Sequence, residues 1–206
     1  MKNMVNYLTA GALMALPMSA HAAITISNVT ASSTFRTYNV VNLVNGSGLT
    51  GSLHNGEFEN KWLSDAEPAP TLTFDLGSIY ALSDTVIWNY GGGCCGTERN
   101  VNSFTISFST DDITYTSFGT FALTNSTTDP FGADTISLTG NARYVRFNVL
   151  SNQGDPDYTG LSEVQFNGQT AGAIPESATW TMMIAGFGLV GAAARRRRHR
   201  VSVSFG

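Results

Sequence analysis

Thr71-Leu72-Thr73-Phe74-Asp75-Leu76-Gly77 alternates apolar and polar residues, and so, further along, does Asn102-Ser103-Phe104-Thr105-Ile106-Ser107-Phe108-Ser109. Alternation with period two puts Leu72, Phe74 and Leu76, then Phe104, Ile106 and Phe108, on one face of their strands. Strands buried on one face need a second layer to cover that face. Between the two stretches lies Tyr90-Gly91-Gly92-Gly93-Cys94-Cys95-Gly96-Thr97-Glu98-Arg99. This loop can continue neither strand and is expected to stand clear at one end of the layers, as part of the working surface.

Working outward, further strands are expected at Ile24 to Val29, Asp84 to Tyr90, Tyr115 to Leu123, Asp134 to Leu138, Arg143 to Leu150 and Leu161 to Asn167, and none of the body carries a helical stripe over three turns. Asn45-Gly46, Asn55-Gly56, Thr110-Asp111-Asp112, Gly140-Asn141 and Gly154-Asp155-Pro156-Asp157 separate them as turns. Short strands at this spacing predict an all-β sandwich over residues 24–168, without internal repeat.

The 206 residues are 42% hydrophobic and 13% charged, which suits one globular domain with processing segments. Five arginines sit in one tail between Arg195 and Arg200, so the net charge of −4 understates the acidity of the body. In residues 24–173, five basic side chains (Arg36, Lys61, Arg99, Arg143, Arg146) face fourteen acidic ones, which leaves that body near −9. It repels phosphate backbones, and nucleic acid is not an expected partner.

Residues 1–23 read as a signal peptide: Lys2 opens it, Leu8 to Met18 is apolar, and Ala20-His21-Ala22 supplies the small-x-small cleavage site. After a linker at 169–173, Ala178 to Ala194 runs for seventeen residues without a charge and ends on Arg195-Arg196-Arg197-Arg198-His199-Arg200. A transmembrane helix is expected over 178–194, at the lower limit for crossing, with the arginines on the cytoplasmic side. That order places the body outside the cytoplasm.

Pro175-Glu176, Trp180 and the apolar run before the arginines resemble the PEP-CTERM sorting tail in its PEPxxWA form, here over 174–200 with 201–206 following. The resemblance implies a precursor held in the inner membrane, an exosortase-type processing enzyme as partner, and delivery to the cell envelope or extracellular matrix. Ser177 and Thr181 depart from the usual proline and alanine. The tail speaks to address and not to activity.

The body resembles the discoidin, or coagulation factor 5/8 type C, family and carbohydrate-binding modules of the galactose-binding-like fold. Asn42-Leu43-Val44-Asn45-Gly46, Trp62-Leu63-Ser64, Leu72 to Gly77, Arg99 with Phe104 to Asp112, Ala142 to Phe147 and Gly160 to Gly168 follow the family's order. The resemblance implies a jelly-roll without catalysis, whose loops at one end bind sugars, lipids or proteins. It also implies an arginine on ligand hydroxyls at Arg99, where the planar guanidinium offers five fixed donors. The alternative for Arg99 is a surface ion pair, with Glu98 at hand.

His54, Asn55, Trp62, Tyr90 and Tyr158 complete the candidate ligand set, since sugar sites combine an aromatic face with a few polar groups. For Trp62 a core position is the favoured reading. A structural Ca²⁺ is the second feature that the resemblance implies, at the Asn45-Gly46 turn and closed by Glu163, with Ser47, Gly48 and Thr50 as further oxygen donors. A hydrogen-bonded turn without metal is the competing reading.

Cys94 and Cys95 leave three readings open: a strained vicinal disulfide, intermolecular bridges, or free thiols. Hydrolase elbows, zinc-protease motifs and phosphate loops do not occur, and the histidines fall at His21, His54 and His199. Catalysis is not expected. The chain is expected to be an exported binding module for carbohydrate of exopolysaccharide or envelope; the alternative is a structural matrix or adhesion protein without a sugar pocket.

Overall fold

The computed structural model describes residues 22–92, 96–172 and 176–198. The expected leader up to 21, the pair Cys94-Cys95 and Pro175 lie outside them. Two long strands replace four of the shorter ones expected: β6 (Thr71–Asn89) joins two of those stretches, and β9 (Asp134–Asn152) joins two more. The others are β1 (Ala22–Ala23), β2 (Asn28–Ala31), β3 (Leu49–Thr50), β4 (Leu53–His54), β5 (Trp62–Leu63), β7 (Val101–Ser109), β8 (Thr116–Ala122) and β10 (Gly160–Thr170). The strand expected over Ile24 to Val29 is found at Asn28–Ala31, with the short β1 at Ala22–Ala23 ahead of it.

The strands form one antiparallel ladder in the order β1-β10-β6-β9-β7-β8, with β2 added on β6 and β5 on β10, while β3 and β4 make a separate hairpin. The first half of β6 pairs with the far end of β9, from Thr71 opposite Asn148 to Asp75 opposite Tyr144. Its second half pairs with β10, from Tyr80 opposite Thr170 to Asn89 opposite Leu161. Between the halves the register shifts, and Gly77 takes a φ of 78°, a conformation glycine adopts without a Cβ penalty.

The ladder folds over itself at this bend, and the core shows it. Phe166 of β10 lies opposite Thr85 in the register, yet its ring lies 5.4 Å from that of Phe74, well back along the same strand β6. Phe147 closes the cluster at 5.1 Å from Phe74 and 4.9 Å from Phe104. Leu72, Phe74, Leu76, Phe104 and Ile106 are all buried, as their alternation requires. Phe108 lies only partly buried at the margin and stacks on Phe118 of β8. The architecture is a mostly β sandwich, and each fully buried ring contributes on the order of 1.5–3 kcal/mol of apolar burial.

The tail forms a helix, α1 (Glu176–Arg198), in a unit separate from the body. Among the described residues no helix is long and apolar enough to cross a membrane, which corrects the span expected at 178–194. Three glycines and two threonines among those seventeen residues dilute the apolar run. Along α1 the side chains of Met182, Ile184, Phe187, Leu189 and Val190 are exposed.

Candidate functional site

One end of the sandwich gathers the last residue of β6, the first of β7, the last of β9 and the first of β10. Three asparagines lace its loops together. Asn89 donates to the carbonyls of Val101 and Thr124 and accepts from the amides of Tyr90 and Val101. Asn100 accepts from the amide of Gly91 at 2.7 Å and donates to Thr97, Asn125 and Ser126. Asn152 donates to the carbonyls of Asp155 and Tyr158 and to the Thr159 hydroxyl. Amide side chains suit this work because each offers donors and an acceptor to loop backbone that no strand can satisfy.

Arg99 stands among these loops, half-buried. Its Nε donates to Oδ2 of Asp155 at 2.9 Å, and its guanidinium carbon lies 5.0 Å from the centroid of the Tyr158 ring. The acidic partner is therefore Asp155 and not the neighbouring Glu98. Asp155 is fixed in turn, since its Oδ1 accepts the amides of Asp157 and Tyr158 at 2.9 Å each, the local turn chemistry of an Asp-Pro-Asp sequence. Partial burial works to lower the pKa of Arg99, but its hydrogen bonds with Asp155 and Tyr90 outweigh it and hold the guanidinium above its ordinary value. Partial burial works to raise Asp155, and the Asp157 amide, Arg99 and the Tyr158 amide together keep it below the usual carboxylate range. A fixed, permanently charged fork at a loop rim can donate to ligand hydroxyls through the NH groups that Asp155 leaves unused.

The described start of the glycine loop does not stand clear as expected. Gly91 and Gly92 are buried, and Gly93, Cys94 and Cys95 lie outside the described residues. Gly91, with a φ of 81°, sits so close to Phe131 that a Cβ would come within 2.1 Å of the ring. Loop 124–131 covers it, and among the described residues of the loop the stretch from Gly96 to Arg99 reaches the rim. Tyr90 goes in with the loop: it is 1% exposed, with the Lys61 ammonium 4.4 Å from its ring centroid. Lys61 is itself buried, donates to the Gly92 carbonyl at 3.2 Å, and fastens the loop from beneath.

Of the remaining ligand candidates, Trp62 is wholly buried, its indole NH on the Thr34 hydroxyl, so it is core. His54 is equally buried, shares Nδ1 with the Asn55 carbonyl and packs on Phe131. Burial pushes its pKa below the ordinary value. Asn55 uses its Oδ1 within its own turn, on Asn60 and Glu57. Arg99 and Tyr158 are the candidates that meet at the surface, with Tyr90 behind them. The sequence reading missed Phe35, Tyr38 and Phe58, which continue the Tyr158 ring across the rim, because none lies in a strand or a recognisable motif.

At the Gly46 turn, the Gly46 amide donates to Oε2 of Glu163 at 3.2 Å, and Oδ1 of Asn45 accepts the Ser47 amide. Glu163 is 2% exposed, and burial pushes its pKa up to about 7 against the pull of the Gly46 amide and Gln165. The Ser47 hydroxyl oxygen is shielded with no hydrogen-bond partner among the described residues. A buried carboxylate short of partners beside an unsatisfied hydroxyl and a turn rich in carbonyls fits a hard cation that takes oxygen ligands. Asn45, Ser47 and Glu163 are brought together here, whereas Thr50 sits exposed in the β3 hairpin. Among the described residues no group of three or more His, Cys, Asp or Glu could hold a metal, so such a site would rest on one carboxylate.

Among curated proteins none matches this chain. Solved structures do. The chain is similar to the CBM32 of AlyQ in complex with 4,5-unsaturated mannuronic acid, at 22% identity and a TM-score of 0.54 over 71% of this chain and 98% of that one. It is similar to CBM32-3 from a family 31 glycoside hydrolase of Clostridium perfringens at 22% identity and TM-score 0.54, over 71% and 95% of the two chains. The family 32 CBM from C. perfringens NanJ in complex with galactose aligns at 16% identity and TM-score 0.53, over 72% and 99%. At these identities the likeness establishes the sandwich fold. The model of the F5/8 type C domain matches residues 28–164, well over half of the sequence. The chain belongs to the F5/8 type C domain family.

Proposed function

We propose that this chain is a non-catalytic carbohydrate-binding module whose ligand docks at the loop end beside Arg99 and Tyr158. The observation that carries the reading is the guanidinium fixed between Asp155 and the Tyr158 ring, a hydroxyl-binding fork next to an aromatic face. Structural neighbours solved with galactose or an unsaturated mannuronic acid support it, as does a lectin domain solved with Lewis B antigen. A polysaccharide pull-down with the full chain, wild type against Arg99→Ala, tests it. Retention by the wild type and its loss in the variant is the expected result. No polysaccharide retained by either form would point to a structural matrix or adhesion role.

Two further elements belong to this reading. A structural Ca²⁺ held by Glu163 with oxygens of the Asn45 to Ser47 turn would neutralise the buried carboxylate and stiffen the turn. The leader at 1–23 and the Pro175-Glu176, Trp180 and arginine pattern of the tail support export, handling by an exosortase-type enzyme and delivery to the envelope or extracellular matrix. Loss of the tail from the mature protein in a mass spectrum of the secreted fraction is the corresponding check.

A further inference from the structure

We propose that the loop end binds a neutral polysaccharide along several consecutive sugar units, and not only one terminal sugar, an inference that rests on the carbohydrate-binding reading above. Four rings from three separate loops form a row. Phe58 lies 6.1 Å from Tyr38, Tyr38 lies 6.1 Å from Phe35, and Phe35 lies 5.2 Å from Tyr158, over whose ring the Arg99 guanidinium sits at 5.0 Å. The steps are about one pyranose in length. Phe58 is 42% exposed and the other three are half-buried, so the row retains ring surface at the solvent boundary and does not vanish into the core.

The loop that carries two of these rings is held in a costly shape. Phe35 donates its amide to the Leu63 carbonyl, Tyr38 donates to the Phe35 carbonyl, and Arg36 between them takes a φ of 48°. A non-glycine residue there costs on the order of 1 kcal/mol and persists where the surroundings impose it, often at ligand clamps. Arg36 lays its guanidinium 4.8 Å from the Phe35 centroid. Among the described residues it has no acidic partner within ion-pair distance, so it remains able to donate to a ligand.

Charge selects the occupant. Glu57 and Glu59 flank Phe58, Asp157 precedes Tyr158, and the Asp65 amide bonds the Ser33 hydroxyl beside the row; all four carboxylates are exposed. On a body near −9 they would repel a polyuronate or an anionic membrane, while they accept readily from sugar hydroxyls. Rings for the apolar faces, carboxylates and two arginines for the hydroxyls make a surface suited to an uncharged, hydroxyl-rich chain.

The test titrates the full chain by calorimetry with galactan, mannan and glucan oligomers of one to six units. Mannuronate oligomers of the same lengths and phosphatidylglycerol vesicles run beside them. At least one neutral series should tighten by roughly ten-fold or more from one unit to four. Phe58→Ala should remove that gain, and Phe58→Trp should retain it; an unaltered melting curve confirms that both variants fold. Single-unit binding that does not improve with length overturns the extended row but leaves the module reading intact. Stronger uptake of mannuronate or of vesicles overturns the neutral-chain assignment. Binding to none of the sugars overturns both readings together.

Discussion

Arg99 donates from Nε to Oδ2 of Asp155 at 2.9 Å, a bond that ties the end of the glycine loop to a turn 56 positions later in the chain. On the carbohydrate-binding reading, Asp155 acts on the ligand only through Arg99, which makes it a positioning residue. Asp155→Asn keeps the Oδ1 acceptor for the Asp157 and Tyr158 amides but gives up the charge-assisted bond. The expected outcome is about ten-fold weaker polysaccharide binding with an unchanged melt, the difference being near 1.4 kcal/mol. Isothermal titration of the retained polysaccharide measures it, and wild-type affinity in the variant would mean that Asp155 does not hold Arg99 for the ligand.

The burial of Gly91 under Phe131 has its own consequence. Gly91→Ala meets two penalties together, a left-handed φ and a Cβ inside the Phe131 ring. Destabilisation by about 1–3 kcal/mol follows from the backbone strain alone, with overpacking adding to it. Urea melts of Gly91→Ala against Gly92→Ala set the scale, and a Gly91→Ala variant as stable as the wild type would show that the loop is free of the sandwich.

Much of the sandwich was legible because period-two alternation is a direct print of a strand with one wet face. Leu72, Phe74 and Leu76 were read that way and are buried. What alternation does not carry is where one strand crosses from one layer to the other. Gly140-Asn141 was expected as a turn between strands and instead sits within β9, and Gly77, at the end of the first alternating stretch, sits within β6. The site was harder. Arg99 and Tyr158 could be named, but their meeting depends on Asp155, Asn100 and Asn152, polar residues whose partners are set by tertiary approach of loops. The same holds for the glycine loop: its composition announces backbone freedom, and freedom serves equally to project from a surface or to fit tightly under Phe131.

Arg143 grips Asp75 with both ends of its fork, Nε to Oδ1 at 3.0 Å and Nη2 to Oδ2 at 3.1 Å. The hydrogen bond from Arg143 is the main cause that holds the Asp75 carboxyl below the usual range, against partial burial and with help from the Gly77 amide. For an acid depressed in the folded state, the stabilisation is fully present above the unfolded-chain value and is lost as pH falls through the lower folded one. Arg143→Met should therefore melt below the wild type at pH 7, by a small margin for so exposed a pair, and the two should converge as pH drops below about 4. A gap that stays constant from pH 7 to pH 2 would assign the effect to packing of the arginine stem.

Glu163 presents the sharpest electrostatic demand in the body, a carboxylate at 2% exposure with the Gly46 amide on one oxygen and a pKa near 7. A divalent cation beside it would favour the charged form and return the group to the ordinary range. Ligand bound to the folded state alone stabilises by about 2.7 kcal/mol at a hundred times its dissociation constant, which shifts melting by several degrees for a domain of this size. Calorimetric scans of the full chain in millimolar calcium should thus end well above those in EDTA. Glu163→Gln removes the charge that the cation answers while keeping the shape, so its melt should be indifferent to calcium, and without metal it should equal or exceed the wild type at pH 8. A wild-type melt that is the same in calcium and in EDTA would leave the Gly46 turn as a hydrogen-bonded turn closed by Glu163 without metal.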